Sequence, residues 1–490
     1  MIDSFREIYI PQQIIEGSAL YKDIFTIYPP LAYLINAFIL FLFKSNFHSL
    51  IFFGLIITGG ITHLTYYLAK NFTSENFAFS VCLFTISGVV ISPNVFNTFL
   101  PYSYGILYGV FFMLLAAFGA TKKNFPLMYM FYSLAILSKY EFLLVLPLLF
   151  FVSGKKDCLK NILFFLAPIF LVSSILFIQG TRFEDIFATL NWLNIMSGTK
   201  TLYWFYSAMG LVFRVELIPI YIINFLKFII PIATYEILKF INSKLKIQNK
   251  YYKAGIYLII TLPLIIMCAN RVNEIILYTF PLLLILFIFK IRSLNKEEIF
   301  FVIFTLLMSI KVFFALSLSS YGAYFLPFAL ITLGILTPSK LKKPLMISLI
   351  IWGLIWGITS IQNLADKNSY KALTPVTDYI KENTDPTDIV VTYPECLAIN
   401  ILSNRKSDNK FYSLIPLYVE TFSEELIIKR LEIIKPNFII LNNYDTSLYY
   451  YKEFGKDYAT IITKWIEENY SLRKIINTNL EFKIYEIKTP

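Results

Sequence analysis

The sequence predicts a polytopic α-helical membrane protein that ends in an α/β domain outside the bilayer. Three observations predict it. Only 15% of the 490 residues are charged and 57% are hydrophobic, where ordinary soluble domains carry about 25% charged residues. Apolar runs recur at the length of a transmembrane helix, not as the short alternating segments of a β-barrel. Lysines and arginines collect in alternate loops between those runs, as the positive-inside rule requires.

Taken in order, residues 1–47 form an opening loop. Its stretch "DSFREIYIPQQIIEGSALYKDIFTIYPP" carries Asp3, Glu7, Glu16 and Asp23. Asp3 and Glu7 stand four apart, on one face of any helix there, and Pro11 is expected to break or kink that helix. The apolar run over 30–45 is short for a span, so it is read as a helix lying in, or dipping into, the outer membrane surface. Residues 48–364 hold the spans, at 49–69, 77–95, 102–120, 125–138, 141–154, 159–179, 216–239, 254–270, 273–291, 297–316, 320–337 and 344–362. The loops with Lys122–Lys123, Lys155–Lys156, Lys239–Lys253, Lys290–Lys296 and Lys340–Lys343 are assigned to the cytoplasm. The cation-poor connections between them, 180–215 included, face outward. Extending the alternation to both ends places the opening loop and residues 365–490 outside. The two segments flanking Lys139 have about 14 residues each, against the usual 20 or so, which would sink Lys139 toward the bilayer interior.

Residues 365–490 read as α/β. "DIVVTY" (388–393), "NFIILNN" (437–443) and "EFKIYEI" (481–487) are strand-like. Helices are predicted over 374–383, with Thr374 as N-cap and Pro375 following, over 421–434, with a Thr421–Glu424 capping box, and over 457–470. Strands alternating with helices predict a small, mostly parallel sheet.

Several function classes are excluded. The net charge of +11 is scattered between apolar runs and does not form a nucleic-acid-binding face. Cys82, Cys158, Cys268 and Cys396 form no CxxC pair, and His48 and His63 lie in or beside apolar sequence, where packing is the expected role. No Walker A, GxGxxG, HExxH or GxSxG motif occurs. No acidic cluster supports a divalent metal, and no cofactor is expected. The chemistry candidates are the opening-loop carboxylates and the ionisable groups at outer span ends. These are Lys139 beside Glu141, Lys311 in "LLMSIKVFFA" and Arg271 after "MCAN". A charge at membrane depth is costly and marks a functional site by default; snorkelling, or a Lys–Glu pair joining helices, is the structural alternative. Outward cations suit a lipid phosphate. A carboxylate beside a bound lipid phosphate suits sugar transfer, the carboxylate taking the acceptor proton and the cations steadying the leaving phosphate. Tyr102 and Tyr104 in "PNVFNTFLPYSYG", and Tyr321 in "SSYGAYFLP", either contact a sugar or belong to the interfacial aromatic belt.

"EGSALYKDIFTIYPPLAYLINAF" resembles the first-loop signature of the GT-C-fold integral-membrane glycosyltransferases, which include the polyprenyl-phosphate-sugar-dependent protein mannosyltransferases and the lipid A aminoarabinose transferases. The matching features are Asp3, a helix ending near Gly17, the element Tyr21-Lys22-Asp23-Ile24-Phe25, and Pro29-Pro30-Leu31. "AILSKYEFLLVLPLLF" is similar to the family's Leu-Thr-Lys element, and "PECLAINILSNRKSDNKFY" to the tail of one bacterial branch. The resemblance implies an inverting transferase of about 12 spans in the cytoplasmic membrane. It implies a polyprenyl-phosphate sugar donor, a lipid, glycan or protein acceptor, and an outward-facing site. By position it makes Asp3 the base, with Glu7 further on, and matches Lys139 to the family's conserved lysine. The residues themselves add Lys311 and Arg271 to Lys139 as candidate donor-phosphate ligands, and Lys22, Asp23, Tyr102, Tyr104 and Tyr321 as candidate sugar or acceptor lining. A lipid-linked oligosaccharide flippase or polymerase is the alternative. Three departures stand out: Asp3-Ser4 replaces the usual acidic pair, Tyr28 precedes Pro29-Pro30, and no span precedes the first loop. The expectation is that a first span is missing.

Overall fold

The computed structural model describes residues 2–43, 47–87, 103–154, 157–208, 212, 215–244, 252, 260, 263, 266, 272–310, 323–365 and 371–488. In chain order the helices are α1 (Ile2–Ile15), α2 (Leu31–Leu42), α3 (Phe47–Phe72), α4 (Glu75–Thr85), α5 (Tyr104–Thr121), α6 (Phe125–Ser138), α7 (Leu146–Ser153), α8 (Cys158–Ile178), α9 (Phe183–Ile195) and α10 (Leu202–Ala208). There follow α11 (Ile218–Lys244), α12 (Val272–Lys290), α13 (Lys296–Ser309), α14 (Leu326–Leu336) and α15 (Ser339–Ala365). The C-terminal region holds α16 (Thr374–Asn383), β1 (Val390–Tyr393), α17 (Leu397–Ser403), α18 (Pro416–Phe422), α19 (Glu424–Ile434), β2 (Phe438–Asn442), α20 (Thr460–Asn469), β3 (Tyr470–Asn477) and β4 (Glu481–Ile487). The chain divides into two compact units.

The helical unit comprises His48–Leu171 and Ser207–Asp366. Among the described residues, five helices are long and apolar enough to cross a membrane: His48–Phe72, Tyr104–Thr121, Cys158–Ile178, Val215–Lys244 and Ser339–Ile361. The expected span at 254–270 lies almost wholly outside the described residues. Phe151 is 87% exposed and Phe289 80%, which suits a hydrocarbon surround and not water. Within this unit α5 and α6 pack backbone against backbone, since a Cβ on Gly119 would come within 3.0 Å of Met128 N; small residues allow such approach between apolar helices. The short pair expected around Lys139 is present as α6 on one side, and a 3-10 turn (Tyr140–Val145) running into α7 on the other.

The second unit gathers Met1–Phe47, Val172–Tyr206 and Lys367–Pro490. Its sheet has the order β1-β2-β4-β3, with β1 and β2 parallel and the other neighbours antiparallel. The expected mostly parallel sheet is therefore corrected. Residues 470–477 form an additional strand, joined to β4 through Thr478–Leu480 alone. A connection that short admits only an antiparallel pair. The predicted helix over 421–434 is also two helices, because Ser423 adopts φ +62°. The Thr421–Glu424 box does not form: the Thr421 hydroxyl donates to Leu417 O, and the Glu424 carboxylate accepts from Ile462 N (2.9 Å) at the start of α20.

Two polar junctions tie the C-terminal region together. The Glu420 carboxylate accepts from Lys200 N, Thr201 N, the Thr201 hydroxyl and the Tyr451 hydroxyl. The Arg405 guanidinium, 9% exposed, donates to Lys381 O and Thr384 O at the end of α16, and to Ser403 O and Asn404 O at the end of α17. One cation thus satisfies the orphan carbonyls of two helix ends. Arg405→Lys cannot span that set with a single ammonium. It is expected to lower stability by about 2–3 kcal/mol, read as a reduced midpoint of thermal unfolding in detergent.

Candidate functional site

Helix α1 carries the opening-loop carboxylates, and its placement follows from its sequence. Phe5, Ile8, Tyr9 and Ile10 are all buried, so the helix is enclosed and does not simply lie on a surface. It runs unbroken through Pro11, against the expected break. Pro11 has no N–H to offer the carbonyl four residues earlier, which is that of Glu7. Asn36 of α2 supplies the missing donor, its Nδ2 lying 3.3 Å from Glu7 O.

The helix ends where the sequence places its end. Gly17 has φ +100°, Ser18 N donates to Gln13 O (2.9 Å) and Gly17 N donates to Ile14 O (3.1 Å), which is a Schellman cap. A Cβ at Gly17 would meet no atom within 4 Å, so the cost of a side chain there is purely conformational. Gly17→Ala is expected to cost about 1–2 kcal/mol, measured as a lower midpoint of thermal unfolding in detergent.

Both α1 and the loop after its cap are fastened to the C-terminal region. The Tyr9 hydroxyl accepts from Ser407 N (2.8 Å) and donates to Asn409 Oδ1 (2.8 Å). Burial holds that hydroxyl far above the ordinary tyrosine range, so it stays a neutral donor. Asn409 Nδ2 in turn donates to Gln13 Oε1 (3.2 Å) and Ser18 Oγ (3.3 Å). Phe25 packs edge-on against Phe422 (4.8 Å between centroids) and Tyr418 (5.9 Å), beside Trp192 of α9.

At the centre of this unit lies a charged cluster. Arg6 and Glu7 are 4% and 2% exposed and form an ion pair at 3.4 Å. The guanidinium also sits over the Tyr28 ring, 4.5 Å from its centroid, a cation–π contact. Tyr33 of α2 is close enough to feel both charges. Tyr412 and Tyr418 come in from the C-terminal region. Burial pushes their hydroxyls far above the usual range, and Arg6 pulls in the opposite direction. The partly buried carboxylate of Glu395 acts on the same two tyrosines. Carboxylates, one guanidinium and a wall of neutral tyrosine hydroxyls can hold a polyhydroxylated ligand and move a proton from it.

The predicted residues fall as follows. Asp3 is placed by its backbone, one helical turn before Glu7 in α1, so the two positions share a helix face. Asp23 is exposed, and its carboxylate closes the Ala19–Asp23 turn by accepting from Ala19 N (2.8 Å). Lys22 is exposed; a Cβ on Gly180, which has φ +95°, would lie 3.8 Å from its Nζ. In the helical unit, Tyr104 is fully buried in the first turn of α5 with its ring 5.6 Å from that of Tyr108. Lys139 is 8% exposed, in extended backbone directly after α6, with its Nζ 3.5 Å from Glu141 Oε1. Tyr102, Arg271, Lys311 and Tyr321 lie outside the described residues. Among the described residues no group of three or more His, Cys, Asp or Glu side chains is arranged to hold a metal.

Sequence reasoning passed over Arg6, Glu395, Tyr412 and Tyr418. Arg6 adjoins Glu7, and neighbours in a helix do not share a face, so the pair gives no periodic signal. The other three are brought in only by tertiary packing.

No protein-family model matches the chain, and a search of curated proteins finds no match. Among solved structures, the chain is similar to ArnT from Cupriavidus metallidurans bound to undecaprenyl phosphate, with a TM-score of 0.43 and 11% identity over 99% of this chain and 93% of that one. It is also similar to the same protein in its apo state, with a TM-score of 0.40 and 11% identity over 98% and 92%. At such scores and identities the likenesses carry no weight for individual residues of this chain.

Proposed function

We propose that this protein is an inverting glycosyltransferase of the cytoplasmic membrane that takes its sugar from a polyprenyl-phosphate donor, with its site and C-terminal domain on the outer face. The observation that supports this most is the enclosed first loop: a helix bearing Asp3 and Glu7 on one face, with Glu7 buried against Arg6 among tyrosines. The first-loop motif resemblance supports the same reading. An acceptor hydroxyl or amine loses its proton to Asp3 as it attacks the anomeric carbon from the face opposite the phosphate. The bond from that carbon to the phosphate oxygen breaks, and polyprenyl phosphate leaves with the electron pair. Lys139, Lys311 and Arg271 are assigned to that developing charge, and Lys22, Asp23, Tyr102, Tyr104 and Tyr321 to the sugar or acceptor. The acceptor is a lipid, glycan or protein group.

The test is transfer from a labelled polyprenyl-phosphate sugar by the full chain in lipid nanodiscs and in vesicles. Labelled acceptor together with released polyprenyl phosphate is the expected result. Translocation of the donor across vesicles without transfer would assign a flippase instead.

A further inference from the structure

We infer that the helical unit holds a specific anionic glycerophospholipid in a cavity of about 370 Å³ between the end of α5, the start of α6, the end of α7 and the start of α13. Its walls include Phe125, Phe151 and Phe300, and its polar groups include Lys123, Lys296 and Glu297. The volume is in the range of small-molecule sites, roughly 300–1,000 Å³, and large enough for part of an acyl chain. Phe151 is 87% exposed, so the apolar wall continues onto the outer surface of the unit, where lipid tails would lie.

The polar groups stand at helix ends, which is the level of lipid headgroups. Lys123 is fixed in a tight turn after α5, at φ +54°. Lys296 opens α13, whose own terminus is already capped by Asn295 and Glu298. Two lysines against one carboxylate leave one net positive charge, which matches a phosphodiester. Lys123 and Glu297 pair at 3.9 Å with side chains 77% and 57% exposed. Exposed pairs of this kind are weak, so an arriving phosphate can take Lys123 from Glu297. The Thr121 hydroxyl donates to Phe118 O (2.8 Å), so recognition falls to charge and apolar fit. The phosphodiester would lie between Lys123 and Lys296, and one chain along the three phenylalanines. The site is independent of the transfer reaction.

The experiment is native mass spectrometry of the delipidated full chain titrated with phosphatidylglycerol, phosphatidylethanolamine and phosphatidylcholine. Saturable binding of one phosphatidylglycerol, tighter than the other two, is expected. Each lysine near a lipid surface contributes about fivefold in affinity, so Lys123→Ala with Lys296→Ala should weaken binding about 25-fold. Glu297→Gln should strengthen it about threefold, because it removes the competitor for Lys123. All three side chains are exposed, so these variants keep the fold. Unchanged affinity in the double lysine variant would overturn the site. Weaker binding by Glu297→Gln, or equal binding of phosphatidylethanolamine, would point to an ammonium headgroup and also overturn it. Complete displacement of phosphatidylglycerol by excess inorganic phosphate would show an anion site with no lipid component.

Discussion

Asp3→Asn is expected to lower kcat for sugar transfer by about 10²–10⁴-fold, the range that a positioned general base contributes, while the KM for the lipid donor changes little. The substitution keeps size and hydrogen-bonding capacity and removes only basicity. Asp3 sits near the start of α1, so an amide there leaves the buried stretch Phe5–Ile10 and the Gly17 cap untouched. The thermal midpoint should therefore match that of the unaltered chain, which separates lost chemistry from lost folding. Asp3→Glu should recover part of the rate. Full activity in Asp3→Asn would remove Asp3 from the reaction, and the base would have to be sought elsewhere in the cluster.

Glu7→Ala is expected to cost about 3–5 kcal/mol, the usual result of deleting one member of a buried ion pair. The reason is the enclosure of Arg6 and Glu7, at 4% and 2% exposure: the guanidinium stays behind in a site of low dielectric constant. Replacing both residues, as Arg6→Met with Glu7→Leu, should return most of that stability, because well-packed apolar side chains often substitute for a buried pair without loss. Activity should not return with it if the pair shapes the reaction site. Thermal unfolding and transfer assays on the single and double variants make the distinction. A double variant that is both stable and fully active would reduce the pair to a packing element.

Local signals in the sequence carried much of the architecture. Short apolar runs beside Lys139 foretold α6 and a short segment after it, since run length is read directly from composition; the 3-10 turn that opens the second segment was not foreseen. The family resemblance put a helix end near Gly17, and the positive φ there is what a helix cap needs. The strand at 470–477 was illegible for a physical reason: Arg473 and Lys474 interrupt its apolar alternation, and it follows an amphipathic helix without a gap. The path of α1 through Pro11 was illegible too, because the compensating donor, Asn36, comes from another helix. Similarly, nothing local announces that Tyr412 and Tyr418 come within the field of Arg6. Of the stretches that charge alternation assigned to one side of the membrane, the opening loop, the tail and the first part of the 180–215 connection, up to Tyr206, belong to one compact unit, and the rest of that connection to the other.

The anchoring of Tyr9 on Ser407 and Asn409 spans about 400 positions of the chain. It therefore bears on biosynthesis. Opening-loop residues wait for residues synthesised about 400 positions later before α1 can settle. A chain that stops short of the tail would retain every opening-loop carboxylate and lack the Ser407 and Asn409 anchors of α1. Settling of α1 is thereby coupled to synthesis of the tail.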